Sequence, residues 1–178
     1  MQNPKTSLMA RVKGTGIYRE ESKIKSAAED LTGIKIFRFS SSLCFFNVDF
    51  FKKSLYSKIG INPRNMTTET KETSSMTESE KGDNVTSSVP IHSIVIDCSM
   101  MAFIDIDGMQ TLQTIAIECT KLGITVLFAN ASRRIQNTLK NSDVMNSMDQ
   151  IRLDQMFVTL HDAVEYALTT GNEKNRTK

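Results

Sequence analysis

Three β-branched residues in a row, Ile94, Val95 and Ile96, followed at once by Asp97, constrain this 178-residue chain more than any other feature. An uninterrupted β-branched run is what a strand needs when both of its faces are covered. Past it, Met109, Leu112, Ile115, Ala116, Cys119 and Leu122 recur at spacings of three and four, the period of one helical face. Asp97, Asp105, Asp107 and Gly108 lie between strand and helix. Asp107 stands where an N-cap or first-turn acid belongs, near the positive end of the helix dipole. A strand that feeds a helix through an acidic, glycine-bearing loop is where α/β proteins tend to carry function.

The same alternation continues on either side. A short strand is expected around 8–12, and a half-buried strand over 34–40 after Gly33, followed by the apolar run Leu43, Cys44, Phe45, Phe46. Val48, Phe51, Leu55 and Ile59 then space as a helix, with Asn47 or Asp49 at its start and Gly60 just past its end. Downstream, the pattern predicts a strand over 124–129 after a Gly123 cap and a helix over 132–141 with Ile135 and Leu139 inward. A last strand follows at 156–158, then a helix over 160–168 stopped by Gly171. Strand–helix alternation of this kind predicts an α/β fold whose sheet is mainly parallel.

The chemistry available is limited. A net charge of +2 without a basic stripe interleaved with aromatics gives no support for nucleic-acid binding. No window is apolar enough to span a bilayer and no signal peptide opens the chain, so the polypeptide alone is expected to be soluble. Cys44, Cys98 and Cys119 are odd in number, far apart and set in apolar patterns, which favours core packing over ligation or disulfides. His92 and His161 have no acid–thiol arrangement around them, and Gly14-x-Gly16 lacks the third glycine of a dinucleotide loop. Neither a catalytic set, a cofactor site nor a metal site is expected. One loop aspartate should cap the helix and another should tie backbone amides.

The pattern of strand, Asp97-Cys-Ser99, then Phe103-Ile-Asp105 and Gly108 with Leu112 four residues on resembles the STAS domain. That family is shared by bacterial anti-sigma-factor antagonists and the cytoplasmic tails of sulfate-permease (SulP) anion transporters. Gly14-Thr-Gly-Ile-Tyr-Arg19, Gly33-Ile-Lys-Ile-Phe-Arg-Phe39, Phe46-Asn-Val-Asp-x-Phe-Lys52, Lys58-Ile-Gly-Ile-Asn-Pro63 and Leu160-His-Asp-Ala-Val-Glu-Tyr166 are similar to the animal SulP branch. The resemblance implies a STAS-type mixed, mainly parallel sheet with helices mostly on one face. It also implies a non-enzymatic regulatory domain of a sulfate or other anion transporter, on the cytoplasmic side of the plasma membrane. Its partners would be the parent protein's transmembrane domain, a second copy through that parent, and regulatory proteins; the loop of Asp97, Asp105, Asp107 and Gly108 would be regulatory. The alternative is a free-standing interaction protein of the antagonist type. In the antagonists the residue before the loop glycine is a phosphorylated serine or threonine, whereas Asp107 has no hydroxyl and a fixed single charge in place of the roughly −1.5 to −2 of a phosphate.

Along the chain this divides into an N-terminal segment with a short first strand (1–33), a first strand and helix (34–61), an insert (62–89), the remainder of the domain (90–170) and a polar tail (171–178). The insert is about two-fifths Ser and Thr and almost without aliphatic residues. Such a composition buries too little apolar surface to offset the entropy of ordering, so 62–89 is expected to be disordered. Limited proteolysis should cut there first and leave two associated fragments; strong amide-exchange protection across the insert would contradict this.

Overall fold

The computed structural model describes residues 3–61, 90–141 and 153–176; the 62–89 insert lies outside the described residues. The strands are Thr6–Arg11 (β1), Tyr18–Glu20 (β2), Ile34–Phe39 (β3), Ser93–Asp97 (β4), Thr125–Ala129 (β5) and Met156–Phe157 (β6). The α-helices are Glu21–Ile24 (α1), Val48–Ile59 (α2), Ile106–Lys121 (α3), Arg133–Asn141 (α4) and Leu160–Arg176 (α5). The sheet runs β2-β1-β3-β4-β5-β6. β1 pairs antiparallel with β2 and β3, and the pairings from β3 through β6 are parallel. The expected mixed, mainly parallel α/β sheet is therefore present.

β4 lies at the centre and all five of its residues are buried. Ile94 and Ile96 face a core built with α2, α3 and α4, which contribute Phe51, Leu55, Leu112, Ile115, Ile135 and others. Val95 faces a second core, where Leu160, Ala163, Val164 and Ala167 of α5 meet Ile34, Ile36 and Leu127. Three of the longer helices thus share one face and one takes the other. This second cover corrects the half-buried reading of β3. Phe37 and Phe39 pack edge-on against Phe51 at centroid distances of 5.6 and 5.0 Å, while Ile34 and Ile36 turn to α5.

The helix signals hold with two adjustments. Gly60 ends α2 in the left-handed conformation, its N–H donating to the Tyr56 carbonyl. Met109, Leu112, Ile115, Ala116 and Cys119 form the buried face of α3, but Leu122 lies just past the helix and is exposed. Cys44, Cys98 and Cys119 are free and buried. Burial pushes the Cys98 and Cys119 thiols up to about 12 and raises that of Cys44, which leaves almost no thiolate at neutral pH.

Gly171 does not stop the last helix, which runs through it to Arg176. Its role is steric. The His92 ring hydrogen-bonds to Ser93 Oγ at 2.9 Å and lies so close that a β-carbon on Gly171 would stand 2.4 Å from His92 Cε1. One on Gly33, itself at φ +75°, would stand 2.4 Å from Cδ2 of the same ring. His92 is wedged between two glycines, which joins the end of α5 to the start of β4. The β1–β2 hairpin, absent from the sequence pattern beyond β1, grips the other end of α5. Arg11 bridges Glu29 at 2.6 Å and Glu165 at 2.5 Å, and the Tyr18 hydroxyl meets His161 Nδ1 at 3.3 Å. Replacing a helix-interior glycine by alanine ordinarily stabilises by about 0.8–1 kcal/mol. Here Gly171→Ala should instead lower the urea midpoint, and His92→Ala in the same chain should recover much of the loss.

Candidate functional site

The C-terminal ends of β3 and β4 carry the acidic loop. Arg38 and Asp97 are register partners on these adjacent strands. Asp97 is fully buried, and both the Arg38 Nε (2.7 Å) and Nη2 (2.6 Å) reach its Oδ2. Its Oδ1 accepts from the Ser99 N–H and from Asn130 Nδ2, each at 3.0 Å. A buried carboxylate is tolerated only when its charge is paired and its lone pairs are filled, and all of these conditions are met here. Asn130 is held for this purpose at φ 56°, a left-handed conformation that asparagine adopts more readily than most residues. Asp97 is thereby committed to joining three strand ends.

Asp105 is the N-cap of α3 and also ties a loop amide, while Asp97 ties the Ser99 amide, so both jobs expected of the loop aspartates are found and they overlap at Asp105. Its Oδ1 accepts from the Gly108 N–H at 2.8 Å, and its Oδ2 accepts from the Phe45 N–H at 2.9 Å, sixty residues away in the chain. Ile104 before the cap and Met109 four residues after it are both buried in the same core, as in a hydrophobic staple. Asp107 lies in the first turn, exposed, where it faces the helix dipole. The loop carboxylates are therefore not gathered for acid–base chemistry. Among the described residues no group of three or more His, Cys, Asp or Glu side chains is placed to hold a metal ion.

Gly108 completes a seam between two loops. The Leu43 carbonyl accepts the Asp105 N–H at 3.2 Å, the Leu43 N–H donates to the Phe103 carbonyl at 3.3 Å, and the Phe103 N–H donates to Ser42 Oγ at 3.3 Å. A β-carbon on Gly108 would sit 2.6 Å from the Leu43 oxygen, so only glycine lets the 40–47 loop lie this close to α3. Asn47 firms the same loop, accepting from the Cys44 N–H and donating to the Ser42 carbonyl.

What the seam leaves outside was missed by the sequence reading. Leu43, Cys44, Met101 and Ile104 turn inward, and Phe45 (69% exposed), Phe46 (62%), Phe103 (41%) and Ile106 (57%) turn out. Phe45 and Phe46 pack edge to face at 5.4 Å. Nine large apolar side chains are exposed among the described residues, and five of them, counting Met100, belong to these two loops and the first residue of α3. The run 43–46 reads in sequence as uniformly core, and no sequence signal separates its buried first half from its exposed second half.

A model of the STAS domain family matches residues 25–163. Human "sulfate anion transporter 1" is 30% identical over 99% of this chain, and the matching part is 27% of its own length. The "overall structure of SLC26A9" superposes with a TM-score of 0.78 at 23% identity, over 98% of this chain and 25% of that one. A SulP transporter STAS domain from Vibrio cholerae superposes at 0.52 with 14% identity, over 86% of this chain and 96% of that one. The two structural likenesses speak for the fold. The chain spans about a quarter of the length of the curated relatives it matches.

The two aspartates make separable predictions. Asp105→Ala orphans two backbone donors and should cost about 1–2 kcal/mol in urea unfolding, the usual loss for a cap. Asp107→Ala removes only a charge near the dipole and should cost less than about 1 kcal/mol. Equal losses would mean that the cap is shared.

Proposed function

The chain belongs to the STAS domain family, and from that premise we propose that it serves as the regulatory and interaction domain of a SulP-type anion transporter, acting on the cytoplasmic side of the membrane. The observation that carries this reading is the match itself. Nearly the whole chain aligns with about one quarter of animal sulfate transporters, so its sequence corresponds to one part of such proteins. No helix among the described residues is long and apolar enough to cross a membrane, so anion permeation would fall to another part of such a protein.

The role of the domain would be to dock, to support pairing of two transporter copies and their delivery to the surface, and to receive regulatory proteins. The loop of Asp97, Asp105, Asp107 and Gly108 would act by shaping the surface presented by Phe45, Phe46, Phe103 and Ile106. Committed carboxylates and protonated thiols fit a part that binds and does not catalyse. Asp107 in place of a phosphorylatable residue weighs against the antagonist-type switch.

A graft tests this reading. The chain is put in place of the matching segment of human sulfate anion transporter 1, and sulfate uptake and surface delivery are measured. Both should be retained with unchanged anion preference. A chimera that reaches the surface with a folded domain but carries no sulfate, or prefers a different anion, would overturn the proposal.

A further inference from the structure

The Phe45, Phe46, Phe103 and Ile106 patch has a charge environment as well as an apolar one. Residues 39–51 and 98–120, which contain the patch and everything on either side of it, hold no Lys or Arg at all. They do hold the exposed acids Asp49 and Asp107. Of the cations that flank these segments, Arg38 is engaged with Asp97 and Lys52 with Glu118 at 2.8 Å, while Lys53 and Lys121 lie further along α2 and α3, away from the aromatic ends. Arg133 and Arg134 open α4 beyond β5, two strands from the Phe45 limb. The segments that carry the aromatic patch thus hold two exposed acids and no cation on a chain whose net charge is positive, so the acidity is local and is not inherited from composition.

From this we propose that the patch docks a polypeptide segment with large apolar residues on one face and Lys or Arg beside them, a basic amphipathic helix. The inference rests on the interaction-domain reading and names the chemistry of the partner. Clustered exposed aromatics are the usual anchors of binding energy, and an exposed Phe pair is a surface that the apolar face of an amphipathic helix can cover. The two acids decide between occupants. An anionic lipid surface is repelled by Asp49 and Asp107, and a second copy of the same patch would set the acids of both copies against each other. A cationic flank is attracted.

The test uses the intact chain and two synthetic helices of about 18 residues, roughly five turns, built on the same leucine face, one with lysine and one with glutamate on the polar side. The lysine helix should bind the chain and the glutamate helix should not. A Phe46→Ser variant with an unchanged urea midpoint should bind the lysine helix at least about tenfold more weakly. Asp107→Lys should also weaken it, and Lys53→Ser, on the exposed part of α2, should not. Equal binding of both helices, indifference to Phe46→Ser, binding to phosphatidylserine vesicles through the patch, or a concentration-dependent dimer abolished by Phe46→Ser would each overturn the inference. Its fate is separate from that of the transporter reading. A chain that supports uptake in the graft but ignores both helices defeats only the docking chemistry; one that binds the lysine helix but fails the graft defeats only the transporter role.

Discussion

The structure depends on the burial of β4 from both sides. Five consecutive buried residues in a central parallel strand demand a layer on each face. The chain supplies α2, α3 and α4 on one face and α5 on the other. Backbone polarity is satisfied by the parallel ladders to β3 and β5, and the unavoidable polar groups move to the strand ends. Asp97 stands at such an end. Because it is fully buried, β3 must present a cation at the matching register position, and Arg38 is that cation. The salt bridge therefore follows from double-sided burial and is not an independent stabilising device.

The seam is the next consequence. With Asp97 fixed, the loop after β4 must run back to start α3 beside the loop after β3, and the two come together as a short parallel bridge between Leu43 and Ile104. That approach needs a residue without a side chain at 108 and a carboxylate at 105 that reaches both the helix end and the neighbouring loop. Leu43 and Cys44 on one limb and Met101 and Ile104 on the other point into the core, and Phe45, Phe46, Phe103 and Ile106 beside them point out. Positions 45, 46, 103 and 106 are exposed, and nothing in the packing dictates Phe, Phe, Phe and Ile there. Polar side chains would satisfy the fold equally, which is why these residues are better explained by what meets them from outside.

The elements that could be read in sequence are those whose signal is local. The faces of α2 and α3, the Gly60 cap and the apolar run of β4 each depend on spacing or on one residue's conformational freedom. Three features depended on residues far away in the chain. The choice of Asp105 over Asp107 as cap is made by the seam, which brings the Phe45 N–H to Asp105. Gly171 looks like a helix stop because glycine commonly is one, and only the His92 ring shows that the position needs space, not a turn. β2 and α1 have three and four residues, too short for any periodicity, and are held by pairing with β1 and by the Arg11 and Tyr18 contacts. The aromatic patch was hidden for the opposite reason: a short apolar run cannot say which of its members are inside.

The edges of the sheet bear on how such a domain can associate. An exposed edge strand offers unpaired N–H and C=O groups and invites pairing with another chain. Here the edge strands are β2, with three residues, and β6, with two, so either edge offers only a short ladder. Lys5 and Lys23 pair with Glu20 at the end of β2, so charged side chains also guard that edge. Association through backbone addition is thereby made unfavourable on both sides, while the aromatic surface at the strand ends rests on a cap, a buried ion pair and a glycine contact that hold it rigid. A preformed surface loses little conformational entropy on binding, so contact energy from Phe45 and Phe46 is available for affinity and not consumed in ordering the loops.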